Sequence, residues 1–164
     1  MKIKRIGIIL IVLINIGCDQ ISKDIVRKKI APSEYIQVVS DKFVLTNVEN
    51  SGAMLGAGQN LPQPLKTILL QIVPIFILLI LLFSILKKTS LNKWMLIAFA
   101  FVVGGGIGNL IDRVAYGSVT DFMYINLGIV KTGIFNMADV SVTLGGIFIL
   151  LFSLRSRKAL IGGQ

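Results

Sequence analysis

The chain has 164 residues, of which 54% are hydrophobic and 15% are charged, whereas soluble domains carry roughly 25% charged residues, so the composition favours a membrane protein. It contains no histidine and one cysteine, which excludes an intramolecular disulfide, a cysteine metal cluster, Ser-His and Cys-His hydrolase sites and the zinc HExxH motif. The net charge of +9 requires no nucleic acid, because a basic inner face beside anionic lipids accounts for it.

The N-terminal stretch KIKRIGIILIVLINIGCDQISK admits two interpretations. Its basic start and the 13 uncharged residues that end at Cys18 are typical of a cleaved lipoprotein signal peptide, in which this cysteine would be lipidated. An intact helix over 4–29 would instead place Asp19 below the membrane surface, where Lys23 offers a partner one helical turn on. We favour the intact helix, because Asn15 stands where a lipobox usually carries a branched apolar residue.

Three later stretches are also long enough to cross a bilayer, since about 20 apolar residues span its core as a helix. Two of them, residues 67–86 and 94–111, hold no charged residue, and the third, residues 132–154, holds one, Asp139. We therefore predict a single integral membrane domain with four transmembrane helices. The three later helices are predicted over residues 65–86, 92–113 and 135–154.

The placement of charge predicts the orientation of these helices. Nine basic and no acidic residues flank the side on which the N-terminus lies, and the other eight basic and all eight acidic residues lie on the opposite side. By the positive-inside rule, both termini are expected to be cytoplasmic, although a cleaved first segment would leave the later topology unchanged. The nine basic residues are Lys2, Lys4, Arg5, Lys87, Lys88, Lys93, Arg155, Arg157 and Lys158.

The two predicted extracytoplasmic loops, residues 30–64 and 114–134, contain the sequences EYIQVVSDKFVLTNVEN and SVTDFMYINLG. Both are rich in β-branched and aromatic residues and show partial alternation of apolar and polar residues, which favours strands. Open strand edges are not tolerated in lipid, so a sheet must lie at the interface or against protein. The expected fold class is an all-α membrane protein with a small β element on its outer surface.

Three aspartates are predicted near the outer ends of the last two helices. Asp139 is the only charge in its span, so it is either a structural residue paired with Arg113 or Lys131, or an acid or ion site. Asp121 lies in a loop, where an aspartate commonly serves as a turn or cap residue, and it gains a catalytic interpretation only if its segment folds back beside the helix. Asp112 is interpreted as half of a structural ion pair with the adjacent arginine.

A pair of carboxylates would supply the chemistry of peptide hydrolysis. Two carboxylates about 3 Å apart cannot both ionise readily, so one of them holds a proton near neutral pH. The charged one can take a proton from water while the neutral one donates to the scissile carbonyl. A serine–lysine pair, Ser51 with Lys23 or Lys131, is an alternative whose mutual geometry nothing in the sequence defines.

The glycines of GGGIGN have a packing interpretation. Gly104 and Gly108 form a small-xxx-small pair, which allows another transmembrane helix to approach closely. No Lys-Ser/Thr follows them and no strand is predicted before them, so they do not form a phosphate loop. We therefore expect a close helix contact along this face of the third span.

Five motifs, in order and at fitting spacing, resemble the bacterial lipoprotein signal peptidase (signal peptidase II) family over nearly the whole chain. The motifs are DQISK, NSGAMLG, GGGIGNLIDR, VTDF and FNMADVSVTLG. The resemblance implies a multi-pass inner-membrane aspartic endopeptidase whose active site faces outward and which cleaves diacylglyceryl-prolipoproteins before the lipidated cysteine. It implies no metal or organic cofactor. The expected partners are lipid-modified prolipoproteins and membrane lipids, with no nucleic acid, and we expect a monomer.

The resemblance also implies roles for individual residues. Asp121 and Asp139 would be the catalytic pair, and the strand-prone segments would form the β-cradle of the family. Met54-Leu55 stands where relatives often have an aromatic residue nearby. The residues that would shape the site or hold substrate are Asp19, Lys23, Asn50, Gly52, Ala53, Asn109, Arg113, Asn136 and Ala138, the first two by bracing the outer rim through mutual pairing.

Two other classes of protein remain as alternatives from the residues alone. A small transporter or channel subunit would use Asp139 as an ion or proton site. That interpretation explains an intramembrane acid, but it does not explain why several acids cluster at one depth beside β-prone outer segments. A lipoprotein anchored at Cys18 would instead carry lipid at a new N-terminus.

Overall fold

A computed structural model describes residues 2–87 and 91–161 of the chain, and the side chains of residues 5–87 and 91–155. Lys88, predicted on the inner side, lies outside the described residues. The elements in chain order are α1 (Lys2–Lys29), β1 (Tyr35–Val39), β2 (Phe43–Asn50), a 3-10 turn (Met54–Gly56), α2 (Gln63–Thr67), a π-helical turn (Ile68–Ile72), α3 (Val73–Lys87), α4 (Lys93–Tyr116), β3 (Val119–Ile125) and α5 (Met137–Ile161).

Within the described ranges, four helices are long and apolar enough to cross a membrane, and this confirms the predicted fold class. They cover Arg5–Lys29, Gln63–Lys87, Lys93–Tyr116 and Met137–Arg155. The second contains the π-helical turn directly before Pro74. Because proline has no N–H and its ring crowds the carbonyl four residues back, the turn widens there instead of closing an α-helical bond.

The apolar core lies between α1, α3 and α4. Ile8 and Val12 of α1 are buried against Ile85 of α3 and Val103 of α4. A cut before Cys18 would remove the two α1 side chains from this core. In this structure the first helix is therefore a structural part of the bundle.

Glycines let α1 lie unusually close to α4. A Cβ atom added at Gly104 would stand 2.7 Å from the Cβ of Asn15 and 3.1 Å from the carbonyl oxygen of Val12. At Gly108 it would stand 2.7 Å from Oδ2 of Asp19. The close approach predicted from the small-xxx-small pair is confirmed, and its partner is the first helix.

A three-stranded antiparallel sheet, in the order β1-β2-β3, packs on the end of the bundle where α1 ends. Phe122 of β3 is buried against Val26 and Ile30 of that helix end. The β2–β3 register shifts between Leu45 and Val48, which marks a bulge in β2. Both loops contribute strands, so the predicted β element is confirmed.

The bulge ties the sheet to the helix. Asn47 lies inside the bulge, and its side-chain amide donates to the backbone carbonyl of Ile30 at 2.9 Å. The backbone carbonyl of Asn47 accepts from the backbone N–H of Ser33 at 2.8 Å. A bulge re-aims the side chains that follow it. Here the residues that follow include Asn50 at the end of β2, opposite Val119.

The glycine contact predicts a stability effect. Gly104→Ala should lower the free energy of unfolding by about 1–3 kcal/mol, because the new methyl group overpacks the α1–α4 contact. Gly17→Ala is the matched control, since nothing lies within 4 Å of a Cβ at that position and alanine is the better helix former. The measurement is the thermal unfolding midpoint of each purified variant in detergent. Equal midpoints for the two variants would contradict the close approach.

Candidate active site

Asp139 belongs to the first turn of α5, where it and Asn136 form a reciprocal helix cap. The side-chain oxygen of Asn136 accepts from the backbone N–H of Asp139 at 2.9 Å, and Oδ2 of the aspartate accepts from the backbone N–H of Asn136 at 3.1 Å. This is a capping box, and the pattern Asn-x-x-Asp before an apolar run was a signal for it that our sequence interpretation did not use. Local helix chemistry therefore sets the position of this carboxylate.

Among the described residues, Asp139 is not paired with Arg113 or Lys131, so the ion pair proposed from sequence is wrong. Its other oxygen, Oδ1, instead accepts from the side-chain amide of Asn109 at 2.8 Å. Within the part of the chain that the structure describes, the carboxylate is thus held by neutral donors only, and no cation touches it directly. Such an arrangement leaves it available for chemistry that an ion pair would suppress.

Asp121 lies in β3, opposite Val48 of β2, and its segment does fold back beside the start of α5. Oδ2 of Asp121 accepts from the side-chain amide of Asn50 at 3.0 Å, and Oδ1 accepts from the side-chain amide of Asn136 at 2.6 Å. Since Asn136 is bonded to both Asp121 and Asp139, the two carboxyl groups flank a single residue. Only 5% of Asp121 is exposed.

Burial raises the pKa of Asp121 to about 6, because desolvation disfavours its charged form. The negative charge of Asp139 acts in the same direction, while the hydrogen bonds from Asn50 and Asn136 oppose the shift. A carboxyl group with such a pKa is half protonated near pH 6 and keeps its proton in about one molecule in ten at pH 7, far more than an ordinary aspartate does. This is the property that a general acid requires.

The loop after β2 is built around Asn50. Its side-chain oxygen accepts from the backbone N–H of Gly52 at 3.0 Å, and its amide also donates to the carbonyl of Ala53 at 3.2 Å. A Cβ atom at position 52 would stand 2.6 Å from the carbonyl oxygen of Gly56, so only glycine fits. Nη2 of Arg113 donates to the carbonyl of Gly52 at 3.0 Å. The loop is thereby tied to α4 beside Asp121.

Asp112 and Arg113 do not pair with each other, and this part of the sequence interpretation is also wrong. Successive residues of an α-helix point roughly 100° apart, so the two side chains face different neighbours. Asp112 is fully buried and faces α1, where it contacts Nζ of Lys23 at 2.9 Å and Nη2 of Arg27 at 3.0 Å. Its role as a structural ion-pair residue stands, with different partners.

The predicted pairing of Asp19 with Lys23 is confirmed. Nζ of Lys23 lies 2.8 Å from Oδ2 of Asp19, and both side chains are fully buried. The same nitrogen donates to Oδ1 of Asn109 at 2.9 Å. Oδ1 of Asp19 accepts from the backbone N–H of Ala138 at 2.8 Å. This buried cluster therefore joins α1 and α4 to the first turn of α5.

The serine–lysine alternative loses both proposed partners, because among the described residues neither Lys23 nor Lys131 contacts Ser51. The three N–H bonds of Lys23 go to Asp19, Asp112 and Asn109, so none is left for Ser51. The lysine that reaches the serine is Lys66 of α2, at 3.5 Å. That distance is too long for a strong hydrogen bond.

The sequence interpretation missed four polar residues around this cluster; three of them, Arg27, Thr120 and Glu49, connect it to the sheet, and the fourth, Gln20, bonds to Asp112. Thr120 of β3 donates to Oε1 of Glu49 on β2 at 2.6 Å and accepts from Nε of Arg27 at 2.8 Å. Gln20 donates to Oδ1 of Asp112 at 3.1 Å. Of these residues, Thr120 had a signal in the sequence: side chains alternate along a strand, which directs Thr120 away from its neighbour Asp121.

Four apolar helices, a sheet at one end and a carboxylate pair held by amides define a polytopic membrane protein with a polar site at the end of its helix bundle. The chain belongs to the signal peptidase II family, because the family model described as Signal peptidase (SPase) II matches residues 10–155. It is therefore a peptidase, and this confirms the family that the five motifs resemble.

Individual relatives agree with the family model. The lipoprotein signal peptidase of Clostridium novyi (strain NT) is 32% identical over 151 residues, which cover 92% of this chain and 99% of the relative. That of Borrelia hermsii (strain HS1 / DAH) is 34% identical over 161 residues, covering 94% of each. A solved bacterial membrane enzyme, determined by the in meso method at 2.3 Å resolution, has a TM-score of 0.83 at 31% identity and covers 93% of this chain and 90% of its own.

The buried ion pairs predict that removing a charge from them lowers the stability more than removing a charge from the surface. Asp112→Asn should destabilise the protein by about 3 kcal/mol, because it leaves two cations of α1 short of a buried counter-ion. Asp24→Asn is the control, since Asp24 pairs with Lys28 at 2.7 Å on an exposed face and such pairs contribute at most about 1 kcal/mol. Thermal unfolding in detergent measures both. Equal small shifts would mean that the buried cluster does not stabilise the fold.

Proposed function

We propose that this protein is an aspartic endopeptidase that removes signal peptides from diacylglyceryl-prolipoproteins by cleaving the bond before the lipidated cysteine. Membership of the signal peptidase II family and relatives named lipoprotein signal peptidase support the substrate class. The observation that carries the catalytic assignment is the shared contact of Asp121 and Asp139 with Asn136. It brings together two acids from different elements.

The proposed chemistry divides the roles of the two acids. Asp139, charged and held by amide donors, removes a proton from the attacking water. Asp121, whose pKa is about 6, donates its proton to the carbonyl oxygen as the tetrahedral intermediate forms. When the intermediate collapses, Asp139 passes the proton taken from water to the leaving nitrogen, and Asp121 recovers a proton from the hydroxyl group that becomes the new carboxyl carbonyl. The pair then returns to its one-proton state, and no cofactor takes part.

The place of the site in the bundle suits a lipid-anchored substrate. The acids lie at the start of α5 and in the strand packed on the bundle end, so the site is near one end of the spans and not at their midpoint. A diacylglyceryl group would hold the scissile bond of a substrate at that depth. The same position disfavours the transporter alternative, because an ion pathway requires a polar group across the middle of the membrane.

The orientation in the membrane follows from charge. Arg5, Lys87 and Lys93 lie at helix ends opposite the site, and by the positive-inside rule this supports a cytoplasmic location for that end. We propose that both termini are cytoplasmic, that the site faces outward from the inner membrane, and that the protein acts as a monomer.

The carboxylate pair predicts two inactive variants. Asp121→Asn and Asp139→Asn should each lower the cleavage rate by roughly 10²–10⁴-fold, because each removes one partner of the acid–base pair. Asn keeps the shape of both side chains, so the unfolding midpoint should stay close to that of the wild type. Mobility shift of a purified lipidated substrate measures the rate, with the unlipidated form as second substrate. Asp41→Asn, on the exposed surface, is the control and should cleave normally.

The raised pKa of Asp121 predicts the alkaline limb of the pH profile. Since the reaction requires the protonated acid, kcat/KM should fall as the pH rises through about 6 and lose about tenfold per further pH unit. The kcat limb should lie at higher pH, because bound substrate excludes water and disfavours the charged carboxylate further. Initial rates across a pH series at low and saturating substrate measure the two limbs. A kcat/KM still rising near pH 9 would show that no protonated acid is needed.

A further inference from the structure

The ammonium group of Lys23 determines the orientation of the Asn109 side-chain amide. Lys23 is fully buried, and an ammonium group can only donate, so the atom of Asn109 that faces it at 2.9 Å must be the oxygen. The amide of Asn136 donates to the same oxygen at 3.0 Å. The nitrogen of Asn109 must then point the other way, where it meets Oδ1 of Asp139 at 2.8 Å.

This orientation distinguishes the two acids. A reversed Asn109 would present its oxygen to Asp139, and that contact would be favourable only if the aspartate held a proton. The observed orientation presents a donor, and the backbone N–H of Asn136 presents another to the second oxygen. Both contacts favour the charged form of Asp139. Asp121 also accepts two side-chain amide hydrogen bonds, but it lies in a strand without a helix-end contact and is the more deeply buried of the two, and burial disfavours its charged form.

We propose that Lys23 is a positioning residue that orients the amide of Asn109, so that Asp139 carries the negative charge of the resting pair and Asp121 carries the proton. The inference rests on the proposed function, in which Asp139 is the base and Asp121 the acid, and adds to it the residue that enforces this division of roles. Lys23 does not touch either acid. Its charge acts on Asp121 through space, and its hydrogen bond acts on Asp139 through one amide group whose orientation Asn136 also supports, so its removal should shift the balance and not reverse it.

The charged groups around the pair come from several elements. Lys23 on α1 and Arg113 on α4 are the cations that act on Asp121 and Asp139. Asp19 and Asp112 are engaged with Lys23. The remaining charged groups contact other partners: Arg27 pairs with Asp112, Glu49 bonds to Thr120, and Lys66 contacts Ser51. Lys23 is thus the cation whose hydrogen bond orients the amide that faces Asp139.

The test compares the acid limb of the pH profile among three variants. Lys23→Gln removes the charge and allows Asn109 to present either face, so the acid limb of kcat/KM should move up by about one pH unit. Lys23→Arg keeps a donor-only cation and should leave the limb in place, even if the rate falls. Arg27→Gln disturbs the same Asp112 without touching Asn109 and should also leave it in place. A lower rate in Lys23→Gln with an unmoved limb would overturn the inference.

A second variant tests the same inference in case Lys23→Gln does not fold. Should Lys23→Gln not fold, the double variant Lys23→Gln/Asp112→Asn removes one cation and one anion together, and it is compared with Asp112→Asn alone. The same upward shift between these two is expected, and equal acid limbs would overturn the inference.

Infrared difference spectra between about pH 5 and about pH 8 read the proton without any substrate. The band of a protonated carboxylic acid should be lost in Asp121→Asn and kept in Asp139→Asn, and the opposite pattern would overturn the inference. If the wild type cleaves no lipidated substrate at any pH, the proposed function fails, while the spectra still decide where the proton lies. If the wild type cleaves normally and only the limb fails to move, the inference alone fails.

Discussion

The structure depends on one buried ammonium group. Nζ of Lys23 bonds to Asp19 on its own helix and to Asp112 and Asn109 on α4. A charge inside an apolar bundle is costly unless it is paired and hydrogen-bonded, so these partners must meet in one geometry. Gly108 makes the meeting possible, because any larger residue would strike Asp19. The ion cluster thereby sets the rotation and depth of α1 against α4.

That geometry is passed on to the site through backbone and amide groups. Asp19 holds the backbone N–H of Ala138, which belongs to the turn that Asn136 and Asp139 cap. Asn109 joins the cluster to the same turn from the side of α4. The first turn of α5 is thus fixed both by the carboxylate of Asp19 and by the cap that Asn136 and Asp139 form. A carboxylate in such a setting is pre-organised, since the groups around it are already bonded before any substrate arrives.

The sheet contributes the other half of the site by a different means. Its strands are joined to the bundle by a small apolar contact at Phe122 and by polar bonds through Asn47 and Thr120. Because side chains alternate along a strand, the neighbouring residues Thr120 and Asp121 point in opposite directions. Thr120 bonds to Arg27, whereas Asp121 bonds to Asn136 and Asn50. One acid is therefore placed by a helix cap and the other by a strand register. Neither depends on a flexible loop for its position.

The amino-acid sequence by itself determined the four spans, the strand-prone loops and the close-packing glycines, because hydrophobic length, β-propensity and residue size are local properties. It also contained the Asn136–Asp139 cap, although the pattern was read as an isolated acid. Only the tertiary structure decided which charges meet. Asp112 faces Lys23 and Arg27, Asp139 faces Asn109, and Lys66 takes the place expected of Lys23 beside Ser51. Such partners depend on how each helix is rotated about its axis, and that rotation arises from contacts between segments far apart in the chain.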